Sequence, residues 1–404
     1  SEQTAPPSSL TSSLQTTPAQ ERVKTLVCRE VPPGTGRADV YAEQEKECSM
    51  AYDSDLSFNY FGPTKIVFGV NASRDADIEM GALGGSKAVV VTDKGIIKAG
   101  LVDGITECLG GKCAGVFSEV PQDTGVEVVD AAAEFARKNG ADMVISVGGG
   151  SVIDTAKGMC ILLTEGGTLR DFNGVQLLSR PQVPHMVIPT TAGTGSEVTN
   201  AAVIMDREMG QKRLLVENFN VPRMAILDPK MTEKLPPLLT ASTGMDAMTH
   251  AVEAVHSIPH EPITDGLALH AIRLLYRYLP VCVENGSDLH ARGQVQIAAT
   301  MAGWAFGNAM VGIVHAMAHS IGAIAHVPHG IANGILLAES MEFNLEEAAD
   351  GYAMIAEAMG VREKGMDDHD AARAAISAMR EFTLRIGHPQ RFSEMGVSEQ
   401  LRQG

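Results

Sequence analysis

No pair of cysteines in this 404-residue chain has C-x-x-C spacing: Cys28, Cys48, Cys108, Cys113, Cys160 and Cys282 are scattered. That excludes a zinc knuckle, gives no disulfide framework and fits a reducing cytoplasm. Nor does any run approach the roughly 20 apolar residues that a membrane span requires. Residues 1–20, rich in Ser, Thr, Gln and Pro, lack the charged and apolar regions of a secretory signal and read as a flexible tail. Positive charge is also short, with 32 Lys and Arg against 49 Asp and Glu and a formal net charge of −17. Phosphate backbones and anionic lipid surfaces need a basic patch, so nucleic acid and membrane partners are disfavoured.

Hydrophobic residues make up 45% and charged residues 20% of the chain, an ordinary globular composition. The length exceeds what one core usually supports, so two domains are expected. Residues 1–55 carry Pro and Gly punctuation around one short apolar patch at 23–27 and are expected to form a flexible extension. Residues 56–235 alternate β-branched runs with helical stretches, the pattern of a parallel sheet wrapped by helices. Strands are expected at 87–92, 143–147 and 185–188, with a helix over 126–139 that stops at Gly140. After Leu235-Pro236-Pro237 the chain turns to long Ala, Met and Leu segments, and residues 236–404 should be helical, with helices over 263–278, 291–310 and 344–359.

Two polar turns follow strands in the first domain. In Val147-Gly148-Gly149-Gly150-Ser151-Val152 an apolar strand passes through three glycines into a helix. Glycines let a backbone approach a pyrophosphate closely, and the helix N-terminus stabilises its charge. Ser151 can cap that helix or donate to a phosphate oxygen. The turn is not the G-x-G-x-x-G fingerprint, and by itself it could equally be a tight strand-to-helix connection. Upstream, Val91-Thr92-Asp93-Lys94 places a carboxylate just past a strand, where it can accept bonds from a ribose or simply cap the strand end. The second turn, Pro189-Thr190-Thr191-Ala192-Gly193-Thr194-Gly195-Ser196-Glu197-Val198-Thr199, is crowded with hydroxyls that either bind a ligand or bond within the loop.

Histidines concentrate in the second domain. Asp246 and His250 stand four residues apart, so a helix projects both from one face. Glu253, three residues beyond His250, is a candidate to orient that imidazole. His315 and His319 repeat the four-residue spacing, and His326 and His329 follow. Imidazoles crowded into an Ala- and Met-rich setting need partners, and metal binding is the economical explanation. Three imidazoles with one carboxylate suit Fe²⁺ or Zn²⁺ rather than Mg²⁺ or Ca²⁺. A closed zinc site that only staples helices is the structural alternative.

From about residue 61 to 397 these motifs, in this order, resemble the iron-containing (type III) alcohol dehydrogenase family. The resemblance implies an α/β N-terminal nucleotide-binding domain plus an all-α C-terminal domain, the dehydroquinate synthase-like architecture, with the active site between them. It places Asp246, His250, His315 and His329 on the metal ligands and His319 on a non-ligand histidine beside the nicotinamide, a candidate proton relay. Asp93, Gly149, Gly150, Ser151, Thr190, Thr191, Thr194, Thr199 and Lys212 fall on dinucleotide contacts, and Phe306 on a wall of the substrate pocket. A carboxylate at Asp93 would repel a 2′-phosphate, which favours NAD over NADP.

The activity so implied is reversible hydride transfer between a small primary alcohol or aldehyde and NAD, on Fe²⁺ or alternatively Zn²⁺. Ala201, Ala202 and Phe306 are expected to form an apolar pocket for it. The chain is expected to be cytoplasmic and a homodimer or higher homo-oligomer. A hydroxyacid-oxoacid transhydrogenase and a glycerol-type polyol dehydrogenase use the same fold, while a non-catalytic scaffold docking through residues 1–55 is the rival from another class. Two departures stand out. Pro121-Gln122-Asp123 replaces the Pro-Asn-Pro of many relatives, and the family's last helices have no counterpart beyond about residue 397, which implies a shortened C-terminus.

Overall fold

The computed structural model describes residues 56–397. The chain divides into two units, Ser1–Ser57 and Phe58–Gly404, and every element below belongs to the second. The expected extension over 1–55 and the expectation for the chain beyond 397 lie outside the described residues.

The first half of this unit is built on a parallel sheet in the order β1-β9-β6-β4-β2-β3. Its strands are β1 (Lys65–Phe68), β2 (Ala88–Val91), β3 (Cys113–Phe117), β4 (Met143–Gly148), β6 (His185–Pro189) and β9 (Met224–Leu227). In β2, β4, β6 and β9 every residue is buried. Such strands read as unbroken apolar runs because helices cover both faces of a parallel sheet. Those helices are α1 (Ala76–Ala82), α2 (Lys94–Lys98), α3 (Asp103–Leu109), α4 (Val126–Lys138) and α5 (Gly150–Glu165). The burial of Val126, Val129, Ala132, Ala133 and Ala136 in α4 has helical periodicity, and Gly140 follows with φ of 65°, as expected from its sequence.

A smaller sheet was not expected. It has the order β5-β8-β7, with β5 (Gly174–Val175) parallel to β8 (Gln211–Val216) and β7 (Ala201–Asp206) antiparallel to β8. Burial alternates along β7, and its buried members Ala202 and Ile204 join the α/β core with Val89 and Val144. Ala202 therefore packs the core and does not line a substrate pocket.

The second half is helical: α6 (Pro237–His256), α7 (Pro262–Glu284), α8 (Leu289–Ala309), α9 (Ile313–Ala325), α10 (His329–Phe343), α11 (Ala349–Met359) and α12 (Asp368–Arg385). Proline at the start of α6 matches the one turn where its missing N–H costs nothing. Helix α6 is the axis, buried on nearly all sides and packed against α7, α8 and α10. Close approach is possible because α6 carries small residues: a Cβ on Gly244 would lie 2.4 Å from Leu279 Cδ1. Helix α7 runs past its expected end through Pro280. Proline cannot bond the carbonyl four residues back, and the Tyr276 oxygen instead accepts from Arg385 Nη2 at 3.0 Å. Helix α11 starts later than expected, because Asn344 ends α10 and the following residues form turns. No single described helix is long and apolar enough to cross a membrane.

Candidate active site

A cleft of about 880 Å³ opens where β4 passes into α5. Asp93, Gly149, Gly150, Ser151, Thr190 and Thr191 line it, six of the nine residues expected to contact a dinucleotide. The glycines are required by the two loops packing on each other: a Cβ on Gly149 would lie 3.2 Å from Thr191 Cγ2, and one on Gly150 2.9 Å from Thr194 Cγ2. Gly149, extended, takes the cap position of α5, and no side chain caps that helix, so the capping role considered for Ser151 is not taken. Asp93 caps α2, accepting from the Ile96 N–H at 2.9 Å, while also facing the cleft. Gln122 of the departing Pro121-Gln122-Asp123 segment lines the same cleft.

The other three expected contacts sit elsewhere. Thr194 Oγ1 accepts from the Ser196 N–H at 3.2 Å, and Thr199 is buried, accepting from Lys157 Nζ at 3.3 Å. Lys212 is exposed on β8, and its charge helps hold down the pKa values of His319 and His329, which places it by the imidazoles.

Lys157 holds the second turn in place, a role its position in the sequence did not single out. Fully buried, its ammonium donates to Ser196 Oγ at 2.9 Å and to the Ala201 carbonyl at 2.7 Å, so it pins the 196–201 segment to α5. Asp154, one turn earlier, accepts from Ser196 Oγ at 2.7 Å and the Val203 N–H at 3.0 Å. Burial lowers the Lys157 pKa to about 8, against the opposing pull of Asp154 and Glu197. An Asp and a Lys three residues apart just after a glycine turn were the available signal.

The histidines gather as their spacing implied, with one exception. Helix α6 carries Asp246 and His250, α9 carries His315 and His319, and His329 opens α10. His326, the exposed left-handed cap of α9, stays apart. Donor atoms of Asp246, His315 and His329 lie within 4.8 Å of one another, with Asp246 Oδ1 3.9 Å from His315 Nε2 and 3.6 Å from His329 Nε2. His250 adjoins this triangle, its ring stacked on His315 at 4.5 Å and on Phe306 at 4.0 Å. His319 stacks on His329 at 4.9 Å.

Burial lowers the pKa of His250 to about 3 and that of His319 to about 4. Both are neutral at neutral pH, each with a ring nitrogen lone pair. His250 also buries an Nδ1 that has no hydrogen-bond partner.

Glu253 orients a different imidazole from the one expected. Its carboxylate reaches across to α9, where it takes Nδ1 of His315 at 2.5 Å and the Val314 N–H at 2.7 Å. The free N–H groups of the first turn of α9 draw the carboxylate there. Gly312 leaves it room, since a Cβ there would approach Glu253 Oε1 to 2.9 Å. Asn333, one turn after His329, was also missed: its Nδ2 lies 2.8 Å from Asp246 Oδ1.

Cleft and histidine cluster share one scaffold. The 190–199 loop lies against α8, where Thr300 Oγ1 donates to Glu197 at 2.7 Å and Gly195 touches Gly303. One turn on, α8 presents Phe306 to His250.

The sequence models of two known domains match in tandem: iron-containing alcohol dehydrogenase over residues 63–229, and the C-terminal domain of the Fe-containing alcohol dehydrogenase family over 240–403. The chain belongs to the iron-containing alcohol dehydrogenase family. Within it, the chain is 42% identical over 349 residues to a 1,3-propanediol dehydrogenase of Klebsiella pneumoniae, an alignment covering 85% of this chain and 89% of that one. It is 35% identical over 344 residues to an NAD-dependent methanol dehydrogenase of Bacillus methanolicus, covering 85% and 90%. Among solved structures, a 1,3-propanediol oxidoreductase superposes with a TM-score of 0.83 at 39% identity, covering 85% of this chain and 91% of that one. A sulfoacetaldehyde reductase from Bifidobacterium kashiwanohense in complex with NAD⁺ gives 0.78 at 32%, covering 86% and 90%. The α/β half followed by a helical half is the family's architecture.

Proposed function

We propose that this chain is a metal-dependent alcohol dehydrogenase that transfers hydride reversibly between a small primary alcohol or aldehyde and NAD. The observation that carries the reading is the convergence of Asp246, His315 and His329 beside His250, on the scaffold that also shapes the glycine-lined cleft.

The donor set fits a first-row divalent ion: one buried carboxylate, a His250 imidazole that burial keeps neutral, and an unpartnered nitrogen on that same ring. Asp246, His250, His315 and His329 would hold Fe²⁺, with Zn²⁺ as the alternative. Such an ion supplies Lewis acidity that lowers the pKa of an alcohol hydroxyl. His319, stacked on His329, would relay the hydroxyl proton. Phe306 forms an apolar wall and holds the His250 ring in plane. Asp93, Gly149, Gly150, Ser151, Thr190 and Thr191 would bind the dinucleotide in the cleft. Thr194 and Thr199 support that loop from behind, and Lys212 acts at the imidazole end. In this reading residues 56–235 bind nucleotide and 236–404 bind metal.

Two close relatives are named for 1,3-propanediol, which favours a short diol as a second substrate reading. The unpaired Cys108, Cys113, Cys160 and Cys282 support a cytoplasmic location. Edge strand β1, with Phe68 48% exposed and Val70 51% exposed beside it, supports self-association.

The test replaces His250 or His329 with alanine and follows bound metal and NAD-linked alcohol oxidation together across alcohols, diols and hydroxy acids. Loss of both is expected. Full activity with unchanged metal content would remove these residues from the site, and turnover without release of free NADH would point to a transhydrogenase.

A further inference from the structure

Asn333 sits on α10 one turn beyond His329, fully buried. Its amide nitrogen is 2.8 Å from Asp246 Oδ1, 3.2 Å from His315 Nε2 and 3.2 Å from His329 Nε2. Three donor atoms from three helices thus converge on one side-chain nitrogen, which caps the triangle they form. The other amide atom, Oδ1, is buried without a hydrogen-bond partner. Buried polar atoms in folded proteins nearly always find a partner, so this one calls for an explanation.

The orientation of the amide follows from its neighbours. A carbonyl oxygen turned toward the triangle would face a carboxylate oxygen and two imidazole nitrogens, whereas the NH₂ group has two hydrogens: one for the carboxylate and one shared by the two imidazoles. The carboxylate bond does not depend on the histidine lone pairs and persists when those are engaged elsewhere. The imidazole contacts draw on the same lone pairs that a metal would use. Glu253 constrains His315 from its far side at Nδ1, so Asn333 and Glu253 grip the same ring from opposite ends.

We propose that Asn333 is a positioning residue of the metal centre: its amide orients the Asp246 carboxylate and keeps His315 and His329 converged before the ion binds. This rests on the reading above that those three residues hold a metal. The predicted effect is on affinity and on the geometry of the ion rather than on the cofactor cleft, because Asn333 does not line it.

The experiment compares the full chain with Asn333→Leu, which keeps the volume and removes the amide, and Asn333→Ser, a smaller polar variant in case Leu prevents folding. Zn²⁺ affinity is measured by chelator competition, the Co²⁺-loaded protein by its visible absorption, NADH binding by fluorescence, and folding by thermal melt. Zn²⁺ affinity should fall about 10- to 100-fold, the usual effect of losing a group that orients a ligand. The Co²⁺ spectrum should shift, and NADH affinity should stay within about twofold. Unchanged Zn²⁺ affinity and Co²⁺ spectrum in a folded variant would overturn the proposal. So would a parallel loss of Zn²⁺ and NADH binding with a collapsed melt, which marks a packing role. Asp246→Ala and His329→Ala serve as references: if these keep full Zn²⁺ affinity the metal site itself is wrong, and if only the Asn333 variants do, the site stands and the role of Asn333 falls.

Discussion

The Glu253 carboxylate accepts the Nδ1 hydrogen of His315 at 2.5 Å and thereby selects the tautomer whose Nε2 lone pair faces Asp246. A carboxylate can only accept, so the proton must sit on Nδ1. The same carboxylate also fixes the start of α9 through the Val314 N–H.

Replacing Glu253 with Gln keeps the shape but removes the charge and the obligatory acceptor. Zn²⁺ affinity should drop about 10- to 100-fold, with a small loss of stability from the weakened helix start. A chelator titration indistinguishable from that of the parent chain would refute the assignment.

Asp93 caps a helix and lines the cleft at once, and one substitution separates the two roles. Asparagine caps a helix about as well as aspartate but carries no charge to repel a 2′-phosphate. Asp93→Asn should therefore leave stability within about 0.5 kcal/mol and raise relative use of NADP by roughly tenfold, about 1.4 kcal/mol. Steady-state kinetics with both cofactors decide this, and an unaltered NAD to NADP ratio removes Asp93 from the cofactor site.

Gly195 is left-handed, with φ of 61°, and a Cβ on it would lie 2.5 Å from Gly303 Cα on α8. Backbone meets backbone there, so no rotamer change relieves the clash. Gly195→Ala should cost at least about 2 kcal/mol in urea unfolding, combining the left-handed penalty with overpacking. It should also raise KM for NAD by moving the loop. Gly303→Ala, whose Cβ would meet Gly195 Cα at 2.8 Å without the positive φ, should cost less. Equal or negligible losses would contradict this packing.

His185 is buried in the sheet with Nε2 2.8 Å from Ser146 Oγ, and burial, then the Lys157 charge, lowers its pKa to about 3. The unfolded chain binds a proton near the ordinary value of 6.5, while the folded chain resists until about 3. Between those values the unfolded state holds more protons, so stability falls as pH drops, by about 1.4 kcal/mol per pH unit for this group. Above 6.5 the contribution is complete and flat. Urea unfolding of the parent and of His185→Gln across this range should converge as pH falls, and parallel curves would rule it out.

Much of the chemistry was legible because it is written in local spacing. Asp246 and His250, like His315 and His319, are one helical turn apart whatever surrounds them, and Gly148-Gly149-Gly150 after an apolar strand needs only the two elements it joins. Helix starts and stops such as Pro237 and Gly140 are local as well. The small mixed sheet was less legible, since β7 carries apolar residues on both faces.

What the residue order by itself determined was the inventory: strand, glycine turn and helix, then a helical half in which Asp246 and His250, and again His315 and His319, stand four residues apart, with His326 and His329 following. Which groups share a proton or a ligand was decided only by tertiary packing. Glu253 serves His315, sixty-two positions away on another helix, rather than His250 on its own. Asn333 meets donors from α6, α9 and α10 together. Lys157 is buried by a loop that folds over it, and His326 is turned out of the cluster by its left-handed cap. Spacing along one helix fixes a shared face, but the partner across a helix interface depends on how three helices cross, and no periodicity encodes that.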